Sequence, residues 1–204
     1  MEVKVKDVFV WLVVIAMTSF AARYVYMIWR RKISPAISTW IIFLIGTSLS
    51  LTTYAIAERH DFSSGILNTM DVLCVMSILA ATIIWGNRRV LLCGFEKWYL
   101  LITAAIVAYG LISGNAWRAN IFTQGLITFG YLPTLQKLIM EKRNTESFGA
   151  WFFSLASGAI ALYPALKDGN SLAALYAGRT IVVVAITISV MAYYQLHHNK
   201  SLSR

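Results

Sequence analysis

Charge is scarce in this chain. Only 13% of its 204 residues are Asp, Glu, Lys or Arg, while 58% are hydrophobic. A soluble domain carries about 25% charged residues. So little polarity cannot cover a water-facing surface, and the mean hydropathy of +0.65 points to a protein dissolved in lipid. Cysteine is limited to Cys74, inside an apolar run, and Cys93, between two runs, which argues against a structural disulfide. Histidine is limited to His60 and the tail pair His197 and His198. The tail pair is expected to be solvated, and neither a metal nor any other cofactor is expected. HExxH, GxSxG and paired-carboxylate patterns are missing, so the chain is not expected to be an enzyme. An ATP-binding loop is missing too, which leaves facilitated or ion-coupled movement as the only transport chemistry. The last apolar run has no Lys, which excludes a retinal Schiff base.

What is present is a series of seven apolar runs bounded by charges, Gly, Asn or Pro: Val8–Trp29, Trp40–Ala57, Ile66–Trp85, Trp98–Ser113, Asn120–Ile139, Phe148–Leu166 and Leu172–Tyr194. Each approaches the roughly 20 residues that span a bilayer as a helix. The opening "MEVKVKD" is not followed by a small-residue cleavage pattern, so the first run is expected to be a retained helix. Basic residues alternate across the loops. One side collects Arg30, Arg31, Lys32, Arg88, Arg89, Lys97, Lys137, Lys142, Arg143, Lys200 and Arg204. The other has Lys4, Lys6, Arg59, Arg118 and Lys167, balanced by Glu2, Asp7, Glu58, Asp61 and Asp168. The positive-inside rule then sets the N-terminus outside and the C-terminus in the cytoplasm. It also explains the pI of about 9.7 without nucleic acid. The plasma (inner) membrane is the expected location.

The second and sixth runs look alike. "RKISPAISTWIIFLIGTSLSLTTY" lies over "RNTESFGAWFFSLASGAIALY" when Trp40 is set on Trp151, which also sets Lys32 on Arg143, Ile33 on Asn144 and Ser34 on Thr145. Both continue into small residues, Gly46 and Ser48 in one, Ser157 and Gly158 in the other, of the kind that let membrane helices approach closely. The expectation is a single transmembrane domain over residues 1–204. Its first three-helix unit covers 8–85, a linker helix 98–113 and the second unit 120–194.

This layout resembles the SWEET and PQ-loop transporters, and "YLPTLQKLIMEKRNTESFGAWFFSLASG" is similar to a PQ-loop repeat. The Pro-Gln dipeptide itself is absent, Pro133 being followed by Thr134, and Ala22 stands where the first unit would carry the matching proline. The resemblance implies an all-α integral membrane fold, two parallel three-helix units joined by a linker helix. It also implies a carrier that rocks the units around a central polar site, with substrate-contacting residues on the third helix of each unit.

Polar residues inside the runs point to the same place. Asp71 lies in the third run with Asn68 one turn away. Gln124 follows Asn120 in the fifth, and Arg179 follows Tyr176 in the seventh. All three runs cross in the same direction, which puts these groups roughly 6 to 11 Å below the outer boundary. Intramembrane charges are costly and mark functional sites or helix staples. Here Asp71 and Arg179 are expected to neutralise each other. Asn68, Asp71, Asn120, Gln124, Tyr176, Arg179, Trp117 and Tyr163 are the candidate substrate-binding residues. Arg23 is expected to snorkel, and Trp29, Trp40, Trp85, Trp98 and Trp151 to form the interfacial belt. The expected partners are a small polar or zwitterionic solute and the lipid bilayer, with homo-oligomerisation left open. Two functions fit: a facilitative or proton-coupled carrier, and a receptor or sensor that binds its ligand without moving it.

Overall fold

The structure, a computed structural model, describes residues 2–35, 37–57, 65–86 and 94–202, without side chains at 2–5, 94–97, 99–100, 111 and 197–202. Glu58, Arg59, His60, Asp61, Arg88, Arg89, Cys93 and Arg204 therefore lie outside the described residues. So do the side chains of Glu2, Lys4, Lys97, His197, His198 and Lys200. The described chain is helical throughout: α1 Glu2–Trp29, α2 Ile37–Ala57, α3 Ile66–Trp85, α4 Gly94–Ser113, α5 Ala116–Phe129, α6 Leu132–Glu141, α7 Phe148–Lys167 and α8 Ser171–Leu202. Five of these, α1, α2, α3, α7 and α8, are long and apolar enough to cross a membrane. Large apolar side chains such as Trp11, Ile15, Ile112, Met140 and Leu166 lie exposed on the outside, the surface a lipid-embedded bundle presents.

The fifth apolar run is not the single helix expected from Asn120 to Ile139. It starts earlier, where the Asn115 side chain accepts the Arg118 amide at 3.0 Å, and it divides at Gly130–Tyr131 into α5 and α6. Pro133 is the cause. It has no N–H to give to Phe129, and its ring clashes with that carbonyl in a continuous helix. The chain tightens instead, with the Gly130 amide on Ile127 O at 3.0 Å and the Tyr131 amide on Thr128 O at 3.2 Å. A side chain at Gly130 would press on Phe43 and Ile42, so the break can sit directly against α2.

Packing follows from which stripe each helix buries. Val13, Met17, Phe20, Tyr24 and Ile28 line one face of α1 at three- and four-residue steps. This face meets α3 on one side and α7 on the other. The buried face of α7 is Ser154, Ser157, Gly158, Ala161 and Ala165, small enough for α8 to come within contact of Gly158 at Ala177 and Ile181. Helix α2 packs against α3 and α5, α8 packs against α7 and the α5–α6 pair, and α4 rests mainly on α5. Two tryptophans depart from the expected belt. Trp40 and Trp151 are 1% and 2% exposed and line one cavity, whereas Trp29, Trp85, Trp98 and Trp117 are exposed. Nearness to a run's end predicts an interfacial position only when the helix face points to lipid, and these two face inward.

Among the described residues, two that are not glycine, Arg31 and Lys142, have positive φ, 53° and 50°. Each follows a helix end and turns the chain toward the next helix, α2 or α7.

Candidate functional site

Four helices each bring polar side chains to one level of the bundle. Helix α2 contributes Ser50 and Thr53, both buried. Ser50 is the hub. Its Oγ accepts the amides of Asn68 from α3 at 3.0 Å and of Gln124 from α5 at 2.9 Å. Its carbonyl accepts Asn120 Nδ2 at 2.8 Å, and the same amide reaches Thr53 Oγ1 at 2.9 Å. One turn apart on α5, Gln124 donates to Asn120 Oδ1 at 2.9 Å. From α8, Arg179 Nε completes the chain on Gln124 Oε1 at 3.0 Å. Interhelical hydrogen bonds of this kind contribute about 0.6 to 2 kcal/mol each in a membrane. Their larger effect is positional, since they fix the amides and the guanidinium.

Asp71 and Arg179 do not form the direct salt bridge expected from their depth. The ion pairs among the described residues include Lys6–Asp168, Lys137–Glu141 and Arg143–Glu141. Tyr176 stands between the two intramembrane charges. Its hydroxyl donates to Asp71 Oδ2 at 2.6 Å, and its ring lies 4.5 Å beneath the Arg179 guanidinium. Helix periodicity explains the relay. Tyr176 and Arg179 are one turn apart on α8, so the ring and the guanidinium lie on one helix face.

Two buried polar atoms at this level have no hydrogen-bond partner, Arg179 Nη1 and Asn68 Oδ1. Orphaned buried groups are rare and call for an occupant. Each belongs to a residue that lines a cavity. Asn68 lines a small space with Tyr54, Gly65, Asn120, Leu172 and Tyr176. The Tyr54 hydroxyl accepts Asn170 Nδ2 at 2.8 Å. Arg179 and Asp71 line a second cavity with Thr47 and Ser154, walled by Phe20, Trp40, Phe43, Tyr131 and Trp151. Its room is about 20 Å³, enough for a water molecule and too small for a metabolite. A solute needs the helices to part.

The aromatic wall is continuous. Tyr24 meets Trp40 at 5.0 Å and Trp151 at 6.4 Å between centroids. Trp40 meets Phe43 at 5.7 Å, Phe43 meets Tyr131 at 4.6 Å, and Tyr131 meets Trp151 at 5.8 Å. Behind it lies Glu146, buried at 5% exposure in the turn before α7. Glu146 accepts the Tyr24 hydroxyl and Trp151 Nε1 at 3.4 Å.

Of the sequence candidates, Asn68, Asp71, Asn120, Gln124, Tyr176 and Arg179 come together here. Trp117 and Tyr163 do not. Trp117 is exposed on the first turn of α5, and Tyr163 is exposed on α7, stacked on Phe9 at 4.8 Å. Sequence reasoning missed Ser50, Glu146 and the Trp40–Trp151 wall. The run "GTSLSLTT" carried the signal for Ser50, a hydroxyl-rich stretch inside an apolar helix. No protein-family model matches the chain, and comparison with curated proteins finds no significant match.

Proposed function

We propose that the protein is a membrane carrier for a small zwitterionic solute, built as two three-span units, α1–α3 and α5–α8, with α5 and α6 together forming one broken span, joined by α4. The N-terminus is outside and the C-terminus in the cytoplasm of the plasma (inner) membrane. The likeness to SWEET and PQ-loop transporters belongs to this reading. Helix pairing supports it: α3 packs on α1 and α2 as α8 packs on the α5–α6 pair and α7. Between the units the pairing exchanges, α1 with α7 and α2 with α5, which a pseudo-two-fold axis would give. The register that sets Trp40 on Trp151 also sets Arg31 on Lys142, the two residues with positive φ. It sets the start of α2 at Ile37 on the start of α7 at Phe148. The cavity wall supports it again, since Phe20 and Tyr131, Trp40 and Trp151, and Phe43 and Ser154 are matched in this register and all line one space.

The observation that carries the reading is Arg179 Nη1, buried and without a partner in a cavity shared with Asp71 at the meeting of the two units. A carboxylate completes the guanidinium with a charge-assisted hydrogen bond, and an ammonium group answers Asp71. Rocking the units apart admits the solute, and rocking them back exposes it to the other side. The test begins with a thermal-shift screen of zwitterionic and acidic metabolites, followed by uptake of each hit into proteoliposomes. A zwitterion is expected to stabilise the protein and to accumulate, with uptake reduced at least tenfold in Arg179→Gln. Stabilisation without uptake makes the protein a receptor, and hits that bind Arg179→Gln equally well refute the site.

A further inference from the structure

One buried ionisable group stands apart from the polar level. Glu146 sits where α6 and α7 are joined, and its neighbours fix it there. Its amide donates to Asn144 Oδ1 at 3.0 Å, and Ser147 caps α7 by accepting the Ala150 amide at 3.4 Å. The carboxylate reaches across to α1 through Tyr24 and back to α7 through Trp151. Trp151 lines the Arg179 cavity, and Tyr24 packs on it and on Trp40, which lines the same cavity. The register-equivalent positions are Pro35 and Leu135, so the other joint has neither the carboxyl nor the phenol at these positions.

We propose that Glu146 is a proton-binding site that latches the α6–α7 joint to α1: its protonated form keeps the aromatic layer closed, and its ionisation lets that end of the cavity open. The charged group that acts on it is Lys137 on α6, which favours the ionised form; Arg23 on α1 lies against Gly149 at the start of α7. Tyr24 from α1, Trp151 from α7 and Asn144 from the joint itself supply the remaining polar contacts.

The direction follows from linkage. Burial pushes the Glu146 carboxyl up to about 7, against the opposing pull of the Tyr24 and Trp151 hydrogen bonds and of Lys137. Lifting the joint would return the group to water and to its ordinary value near 4.5. The closed form therefore holds the proton more tightly, and by reciprocity the proton favours the closed form. A difference of this size moves the closed-to-open ratio by about 300-fold between the two limits of pH.

The experiment reads opening directly and needs no solute, so its outcome is separate from that of the carrier reading. Full-length protein lacking Cys74 and Cys93 carries Ser154→Cys, inside the cavity, and is held in nanodiscs. Maleimide labelling is followed from about pH 5 to about pH 9, each rate divided by that of the same protein with Glu146→Gln, which cancels the ionisation of the thiol. The ratio is expected to rise with a midpoint near the Glu146 value of about 7. Tyr24→Phe is expected to raise labelling at every pH. If Glu146→Gln does not fold, infrared difference spectra of the parent protein follow the protonated carboxyl band, expected to disappear through the same midpoint and to shift in Tyr24→Phe. A flat labelling ratio overturns the latch. So does a carboxyl already ionised at about pH 5, or a Tyr24→Phe spectrum identical to the parent.

Discussion

Replacing Tyr176 with Phe isolates the relay between the two intramembrane charges. The substitution removes only the hydroxyl that donates to Asp71 at 2.6 Å and leaves the ring 4.5 Å from the Arg179 guanidinium. A hydrogen bond to a charged group contributes about 1.5–3 kcal/mol, whereas the ring contact, worth about 0.5–2 kcal/mol, is kept. Asp71→Asn removes the charge the hydroxyl serves. The two substitutions are therefore expected to couple by about 2 kcal/mol in a double-mutant cycle. Asp71→Asn and Arg179→Gln, lacking direct contact, are expected to couple by less than the roughly 3–5 kcal/mol lost when a buried ion pair is broken, about 1 kcal/mol. The measurement is reversible unfolding in detergent micelles, followed by circular dichroism. Tyr176 and Asp71 adding within about 0.5 kcal/mol, or the Asp71–Arg179 coupling exceeding theirs, would refute the relay.

Ser50→Ala removes the one side-chain oxygen shared by Asn68 and Gln124, which strands the Asn68 amide and leaves the Gln124 amide on Asn120 alone. A loss of about 1–3 kcal/mol is expected in the same unfolding assay, and Ser50→Cys, a weaker acceptor, should recover little of it. The pH dependence of stability is set in part by Glu146. Its folded value near 7 lies above the ordinary 4.5, so the native state binds the extra proton between these limits. Stability should be highest below about 4.5 and fall as pH rises through about 7, by about 3 kcal/mol in all. Glu146→Gln should remove this component of the slope, as read from unfolding midpoints across that window.

Much of the architecture was legible from the order of the residues, for a reason specific to lipid. Backbone groups in a bilayer must be bonded within the helix, so each span has to be one uninterrupted apolar run, and the runs of α1, α2, α3, α7 and α8 declared themselves. Polar residues inside such runs are conspicuous for the same reason, which is why Asn68, Asp71, Asn120, Gln124, Tyr176 and Arg179 could be selected before any contact was known. Pro133 stood in the fifth run with its effect readable from backbone sterics, yet hydropathy alone drew one helix through it. The tertiary structure decided what each of these groups touches. Hydropathy gives the cost of burying Asp71 but does not say that Tyr176, one turn from Arg179, comes between the charges. It makes Ser50 unremarkable, because a hydroxyl can be satisfied by its own helix, and only the meeting of α2, α3 and α5 makes it a hub. It sends Trp40 and Trp151 to the interface by their place in the run, while the inward face of their helices puts them in the core. Glu146 was one acidic residue in a basic turn until α1 closed over it. A sequence records the exchange of each residue with lipid or water, and the choice among neighbours is made only when the helices meet.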